Sequence, residues 1–177
     1  MDLFEAVGKR HSYRGPFLDQ PVPRDDLRKM VEAGLQAPSG KNLQTTTFVI
    51  VEDPELVRRI NGMPNGNAAV RNARAFIACV IGRQPEAAGD GPSFLVEDCA
   101  AAVENILLAA TALGYGCVWV DGWLRTDGRA AQIGQLLGVP PNRTVRIIIP
   151  IGRPSGTVER RPKKPFEERA WFNRHSG

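Results

Sequence analysis

Histidine and cysteine are scarce, with two of the first and three of the second among 177 residues. Neither His11 nor His175 stands in an HExxH arrangement, and Ser12, the one nucleophile beside a histidine, is a chain neighbour whose side chain need not face it. Neither a hydrolytic triad nor a metal centre is therefore signalled by the spacing of these residues. Cys79, Cys99 and Cys117 form no CxxC pair and read as buried free thiols. Long apolar runs are lacking too: the longest uncharged stretch, Ile106 to Val120, is interrupted by Thr111, Gly114 and Gly116 and falls short of the ~20 residues that cross a bilayer. The opening MDLFEAVGKR places acids where a secretory signal has bases, so a cytoplasmic location is expected. No GxGxxG follows a strand, and the Gly40-Lys41 pair lacks the spacing and the following Ser or Thr of a P-loop.

What is present suits one globular domain over residues 1–177: 42% apolar and 24% charged residues, with 18 glycines and 14 prolines that forecast many turns. The formal charge of +4 is unevenly placed. Residues 153–177 hold seven bases against three acids and so carry all of it, which leaves the preceding part neutral. With Pro154, Pro162 and Pro165 among those bases, this tail is expected to run extended over a surface.

Asp2 suits the N-cap of a first helix bearing Leu3, Phe4 and Val7. Pro23 at the first turn, Asp25 and Asp26, and the apolar spacing of Leu27, Met30, Val31, Gly34 and Leu35 predict a second helix ended by Pro38. Strands are expected at Thr45 to Val51, Ala75 to Ile81, Cys117 to Val120 and Val145 to Ile151. Asp53 and Pro54 open a short helix between the first two. From Ser93 to Leu113 a helix with a wide apolar face is expected, wide enough to imply burial against a partner. Thr126 is expected to cap a further helix through Leu137, with Gly138 as its C-terminal glycine. The loop from Gly82 to Pro92 can serve as a lid. Helices and strands thus interleave in an α/β or α+β domain.

Three constellations can carry chemistry. Arg10, His11, Ser12 and Arg14, in RHSYR, offer two guanidinium forks and a hydroxyl, suited to a phosphate but equally to solvated charge. The bases Arg161, Lys163 and Lys164 gain meaning only if they meet the same anion. Pro38, Ser39, Gly40 and Asn42 make either an ordinary turn or a loop that approaches a polar ligand. Trp119-Val120-Asp121-Gly122-Trp123, at a strand end, offers two indoles that either wall an aromatic cofactor or fill the core.

Taken in this order, the stretches RHSYR, APSGKNLQTTTFVIVED, ENILLAATALGYGCVWVDGW and IIIPIGRP with RPKKPFEE resemble the FMN-dependent nitroreductase family. The resemblance implies an α+β fold with a central mixed sheet flanked by helices, assembled as an intertwined homodimer whose tail, residues 153–177, wraps the partner. It implies that Arg10, His11, Ser12, Arg14, Arg161, Lys163 and Lys164 hold the FMN phosphate and ribityl chain. Pro38, Ser39, Gly40 and Asn42 would line the flavin from the other subunit. Val120, Asp121 and Gly122 would pass the isoalloxazine ring with backbone N–H groups near N5. Asn65, Asn67 and Asn72 compete for the family's asparagine, with Asn67 preferred. Thr45-Thr46 replace the family's Pro-Trp and remove an aromatic from the cleft.

The implied activity is ping-pong hydride transfer from NADH or NADPH through FMN to a nitroaromatic, quinone or similar small acceptor. Two alternatives share the fold: a flavin-binding or sensing protein without turnover, and a specialised flavin oxidase or dehalogenase. Nucleic acid is not expected as a partner, because the aromatics Phe166, Trp171 and Phe172 follow the tail's bases instead of interleaving with them. No membrane partner is expected either.

Overall fold

The computed structural model describes residues 1–83 and 93–175, so most of the expected lid, residues 84–92, lies outside the described residues. Among the described residues six α-helices, α1 (Leu3–Lys9), α2 (Arg24–Leu35), α3 (Pro54–Asn61), α4 (Ala68–Asn72), α5 (Leu95–Ala112) and α6 (Arg129–Leu136), surround four strands, β1 (Thr47–Val51), β2 (Ala75–Gly82), β3 (Gly116–Cys117) and β4 (Arg143–Gly152). The sheet order is β1-β2-β4-β3, and every pairing is antiparallel. The mixed sheet implied by the resemblance is thus corrected for the single chain. A mixed sheet needs one parallel neighbour, and among the described residues no strand supplies it.

Side-chain alternation along β2 divides the core into two layers. Ala75, Ile77, Cys79 and Ile81 face α2 and α5, packing on Leu27, Met30, Val103 and Ile106. Phe76, Ala78 and Val80 face the other way, toward Val57, Ile60, Val70 and Ile133 of α3, α4 and α6. With both faces covered, β2 is buried along its whole length and reads as an unbroken apolar run, as doubly covered strands do. In β4 the register slips by one: Cys79 pairs with Ile147 but Val80 with Val145, so Arg146 is the extra residue of a β-bulge.

Several local signals act as anticipated. Asp2 Oδ1 accepts from the Glu5 N–H at 2.8 Å, Asp53 Oδ1 accepts from the N–H groups of Glu55 and Leu56, and Gly138 adopts φ +68° after α6. Pro23 caps α2 from just outside instead of occupying its first turn. Thr126 does not cap α6: the helix begins three residues later behind Gly128. Thr126 is drawn off by the buried Arg129 guanidinium, which bonds both its hydroxyl and its carbonyl. The third strand shrinks to two residues plus an isolated bridge between Val120 and Ile148, because the β3–β4 register places Pro150, which has no N–H to donate, opposite Val118. On α1 only Ala6 is buried, while Leu3, Phe4 and Val7 are exposed. Most of the wide apolar face of α5 is covered within the chain, by α2 and the sheet. All three cysteines are buried free thiols, and burial pushes the Cys117 thiol up to about 12.

Beyond β3 and β4 the chain ends are fastened by aromatic packing on glycine. Gly116 and Gly152 stand opposite each other in the β3–β4 register. A Cβ on Gly116 would lie 2.8 Å from the Tyr13 ring, and one on Gly152 2.5 Å from the Phe17 ring. The two rings, 5.3 Å apart and both buried, occupy the space that these glycines leave. Gly152→Ala is therefore expected to cost about 1–3 kcal/mol by overpacking. Gly8→Ala, in a helix where a Cβ meets nothing within 4 Å, should leave stability unchanged or raised. Urea unfolding midpoints compare the two.

A second tie joins α2 to the start of the tail. The buried Tyr115 donates to Asp26 Oδ2 at 2.7 Å, and the Arg153 guanidinium lies 4.6 Å from the centre of its ring. The Tyr115 hydrogen bond, followed by Lys29, holds the Asp26 carboxyl below the usual carboxylate range. Since the folded-state value is the lower one, the stabilisation is complete above the unfolded-chain value of about 4 and is lost as pH falls through the folded one. Tyr115→Phe is expected to lower stability at pH 7, with the difference from the parent shrinking as pH approaches 2 in urea titrations.

Candidate functional site

The two basic clusters meet, and the backbone explains why. Phe17 bridges Pro154 in antiparallel sense, Leu18 N–H donates to the Arg153 carbonyl at 2.8 Å, and Ser155 N–H donates to the Pro16 carbonyl at 3.1 Å. Residues 10–14 therefore run beside the chain leaving β4. Tyr13 points inward, donating its hydroxyl to the Pro16 carbonyl at 2.6 Å, which turns Ser12 and Arg14 toward the other side of the extended segment. Arg160 then fastens the tail by donating to the Gly8 and Arg10 carbonyls at the end of α1.

The result is a concavity of about 360 Å³ lined by Arg10, His11, Ser12, Arg14, Val158, Glu159, Arg160, Arg161 and Lys163. Five of these side chains are cationic and one is acidic, a balance that favours a multiply charged anion. Arg10 is positioned by Glu104 of α5, 3.1 Å from its Nε. His11 donates Nδ1–H to the Lys9 carbonyl at 3.0 Å, which sets its tautomer. Lys164 is not among the lining residues and pairs instead with Glu168 at 3.3 Å. In its place stands Arg160, which sequence reasoning passed over within the same run of bases.

A second cleft, of about 370 Å³, lies between α2, α5 and the segment leading into β1, and Pro38 and Ser39 line it together with Gln44, Thr45, Thr46, Phe48 and Asp98. Its loop is tightly held. The buried Asp98 carboxylate accepts from the Gly40 N–H at 2.8 Å, and Ser39 Oγ accepts from the Gln44 N–H at 3.1 Å. Lys41, Asn42 and Gln44 all have positive φ, between 50° and 56°, a conformation costly for residues with a Cβ. Gly40 is required here, since a Cβ would fall 2.4 Å from the Phe94 ring. Nothing in the sequence pattern singled out Asp98, one acid among several on a helix.

The third segment follows β3. Both backbone groups of Val120 are spent on Ile148, at 3.1 and 3.0 Å. Its N–H is thus not available to a ligand, which corrects that part of the expectation. Asp121 and Gly122 lie beyond this last sheet contact. The Asp121 carboxylate receives two bonds from Arg125, both 2.7 Å, and one from Arg146. Arg125 first, and then Arg146, hold it below the usual carboxylate range. A Cβ on Gly122 would meet nothing within 4 Å, so this face of the turn is open. Trp123 donates to the Pro64 carbonyl at 3.0 Å and lies 5.2 Å from the Arg129 guanidinium, whereas Trp119 packs on the core layer of α2 and α5. Asn67 is the N-cap of α4, its Oδ1 accepting from the Val70 N–H at 3.1 Å.

The candidate residues thus fall into three groups, and the two cavities share no lining residue. Among the described residues no cluster of His, Cys, Asp or Glu is arranged to hold a metal, and no helix is long and apolar enough to cross a membrane.

Comparison with known proteins gives this arrangement its context. The family model described as "Nitroreductase family" matches residues 7–81 and 65–153. The NADPH-flavin oxidoreductase of Vibrio harveyi is 30% identical over 173 residues, covering 93% of this chain and 70% of its own. The crystal structure of a nitroreductase family protein from Clostridium novyi NT superposes with a TM-score of 0.74 at 32% identity over 87% of each chain. That of a nitroreductase with bound FMN from Bacteroides fragilis NCTC 9343 gives a TM-score of 0.74 at 25% identity, covering 93% of this chain and 95% of its own. The chain belongs to the nitroreductase family.

Proposed function

We propose that the protein is an FMN-dependent NAD(P)H oxidoreductase acting on a small acceptor such as a quinone or nitroaromatic. The observation that carries this reading is the convergence of Arg10, Ser12 and Arg14 with Arg161 and Lys163 on one concavity. Its donor set fits a terminal phosphate: guanidinium forks, an ammonium and a hydroxyl surround it, while the one lining acid, Glu159, follows the buried-side Val158. Sequence relatives include an NADPH-flavin oxidoreductase, and structural neighbours include a nitroreductase with bound FMN. Bound FMN would supply the hydride chemistry at N5, accepting from NADH or NADPH and donating to the acceptor in ping-pong order.

The chain's own residues bind, orient and shield. Arg10, Arg14, Arg161 and Lys163 neutralise the phosphate, Ser12 donates to it, and Arg160 keeps the tail in place. Asp121 and Gly122 present main chain to the ring, whose face is left accessible by the missing Cβ of Gly122. We assign the loop Pro38, Ser39, Gly40 and Asn42 to the site of the second subunit. The separation of the two cavities within one chain supports this division. So do the exposed apolar side chains Leu3, Phe4, Val7, Leu35 and Leu43, which a homodimer would cover. Residues 153–177 are assigned to the partner's surface on the same grounds, since Phe166 and Phe172 project from the tail with 56% and 83% of their surface exposed.

The test is spectroscopic. Purified protein, loaded with FMN and treated anaerobically with NADH or NADPH, should show the oxidised flavin spectrum and then bleach. Arg10→Ala and Lys163→Ala should each weaken FMN binding by roughly ten- to a hundredfold, the usual worth of a hydrogen bond to a charged group. Lys164→Ala should change it less than about twofold, as expected of an exposed ion pair outside the site. Flavin fluorescence titration reads all three, and a parent protein that neither carries nor takes up FMN overturns the proposal.

A further inference from the structure

Arg146 is an anomaly in its surroundings. It is the charged residue in the apolar run from Val145 to Ile151, and it occupies the bulge where β4 carries one residue more than β2. Bulges bend a strand and re-aim a side chain, and they gather beside functional sites. Here the redirected guanidinium reaches the Asp121 carboxylate, on the turn that follows β3.

That contact lies where the sheet's own grip ends. Val120 is held to Ile148 by two backbone hydrogen bonds, and Asp121, the next residue, already has non-strand torsions, φ −126° and ψ −58°. From there the turn depends on side chains. Arg125 grips the same carboxylate from within the turn, four residues on, and its side chain is 61% exposed. Such a local, solvated pair cannot register Asp121 against the rest of the protein. Trp123 and the buried Leu124 fix the later part of the turn, and Arg146 ties Asp121 itself, because it belongs to the central sheet and both members of its pair are largely shielded, at 19% and 21% exposure. A shielded pair of this kind is costly to break from one side, since the remaining charge stays partly desolvated.

We propose that Arg146 is a positioning residue that holds the Asp121–Gly122 peptide and neutralises Asp121 beside the flavin ring, thereby setting the flavin's reduction potential. This rests on the FMN reading above. Two effects act in the same sense. Without Arg146, the turn loses the hydrogen bond that ties the Asp121 carboxylate to β4. The Asp121 carboxylate also becomes less compensated, and added negative charge next to the ring disfavours the electron-rich reduced form.

The experiment uses the FMN-loaded parent, Arg146→Met and Arg146→Lys, with the two-electron midpoint measured against a reference dye. Amide hydrogen exchange at residues 121–124 is followed in the FMN-free proteins. Arg146→Met should shift the oxidised-to-reduced ratio about tenfold toward oxidised, which is about 30 mV for a two-electron couple. FMN affinity should stay within threefold, because the phosphate residues are untouched. Arg146→Lys, which keeps the charge but loses the planar fork, should fall between parent and Met. It carries the test alone if the Met variant does not fold. Exchange at 121–124 should be faster in both variants. Faster exchange with an unchanged midpoint would show a purely structural tie and overturn the proposal, as would unchanged exchange. A parent that takes up no FMN overturns the functional reading itself, and with it any role of Arg146 in setting a potential.

Discussion

The packing of Tyr13 and Phe17 against paired glycines is the contact on which the remaining architecture rests. Gly116 and Gly152 face each other across β3 and β4, and the missing Cβ atoms admit two aromatic rings that no larger residue would allow. Seated there, the rings fix a chain segment that has no regular structure of its own. Everything electrostatic follows from that apolar contact. Arg10 to Arg14 are held on one side, and the chain around Pro154 is held alongside by the two backbone hydrogen bonds of the Phe17–Pro154 bridge. Like-charged segments brought this close repel one another, so their juxtaposition must be maintained by groups that carry no charge. Aromatic burial and backbone hydrogen bonds do this, and Arg160 adds a link only by turning its charge toward carbonyl oxygens.

Concentrated positive charge of this kind stores free energy that an anion can recover. The tail supplies the net +4, and Arg10 and Arg14 add local positive charge from the otherwise neutral part of the chain. Arg10 shows how the charge is kept from dissipating: one carboxylate, Glu104, steers its Nε, while the rest of the guanidinium fork can bond elsewhere. Lys164, by contrast, pairs with Glu168 in the open and does not line the concavity.

How much of this was legible in the sequence varies with the physical range of the interaction. Local signals translated directly, as Asp2, Asp53 and Gly138 did, because a cap or a left-handed glycine is satisfied within four residues. Apolar runs of both periods located β2, α2 and α5 for the same reason. Long-range competition is what pattern reading missed. Thr126 has the chemistry of a cap, but a buried arginine outbids the backbone for it. Residues 117–120 have the composition of a strand, yet the partner strand sets Pro150, which has no N–H, opposite Val118. The bulge at Arg146 is invisible in one strand alone, since it exists only relative to β2. In the site, the charged residues were readable by type, but their placement was not: Arg160 and Lys164 belong to one run of bases, and only the first lines the concavity.

The chain's division of its candidate site has a physical consequence. Within one chain, the loop bearing Pro38 to Asn42 is braced by Asp98, by Ser39 and by three left-handed non-glycine residues. That is a large investment of backbone strain for a loop that lines a different cavity from the phosphate-suited residues. Strain of this sort persists where a shape must be held ready in advance of its ligand. The loop lies on a surface flanked by exposed Leu35 and Leu43, the setting that the proposed role toward a second subunit requires. Apposition of two copies would bring rigid loop and basic concavity together while burying α1's outward apolar side chains. The same apolar groups that look misplaced in one chain would then be what assembles the two halves of the site.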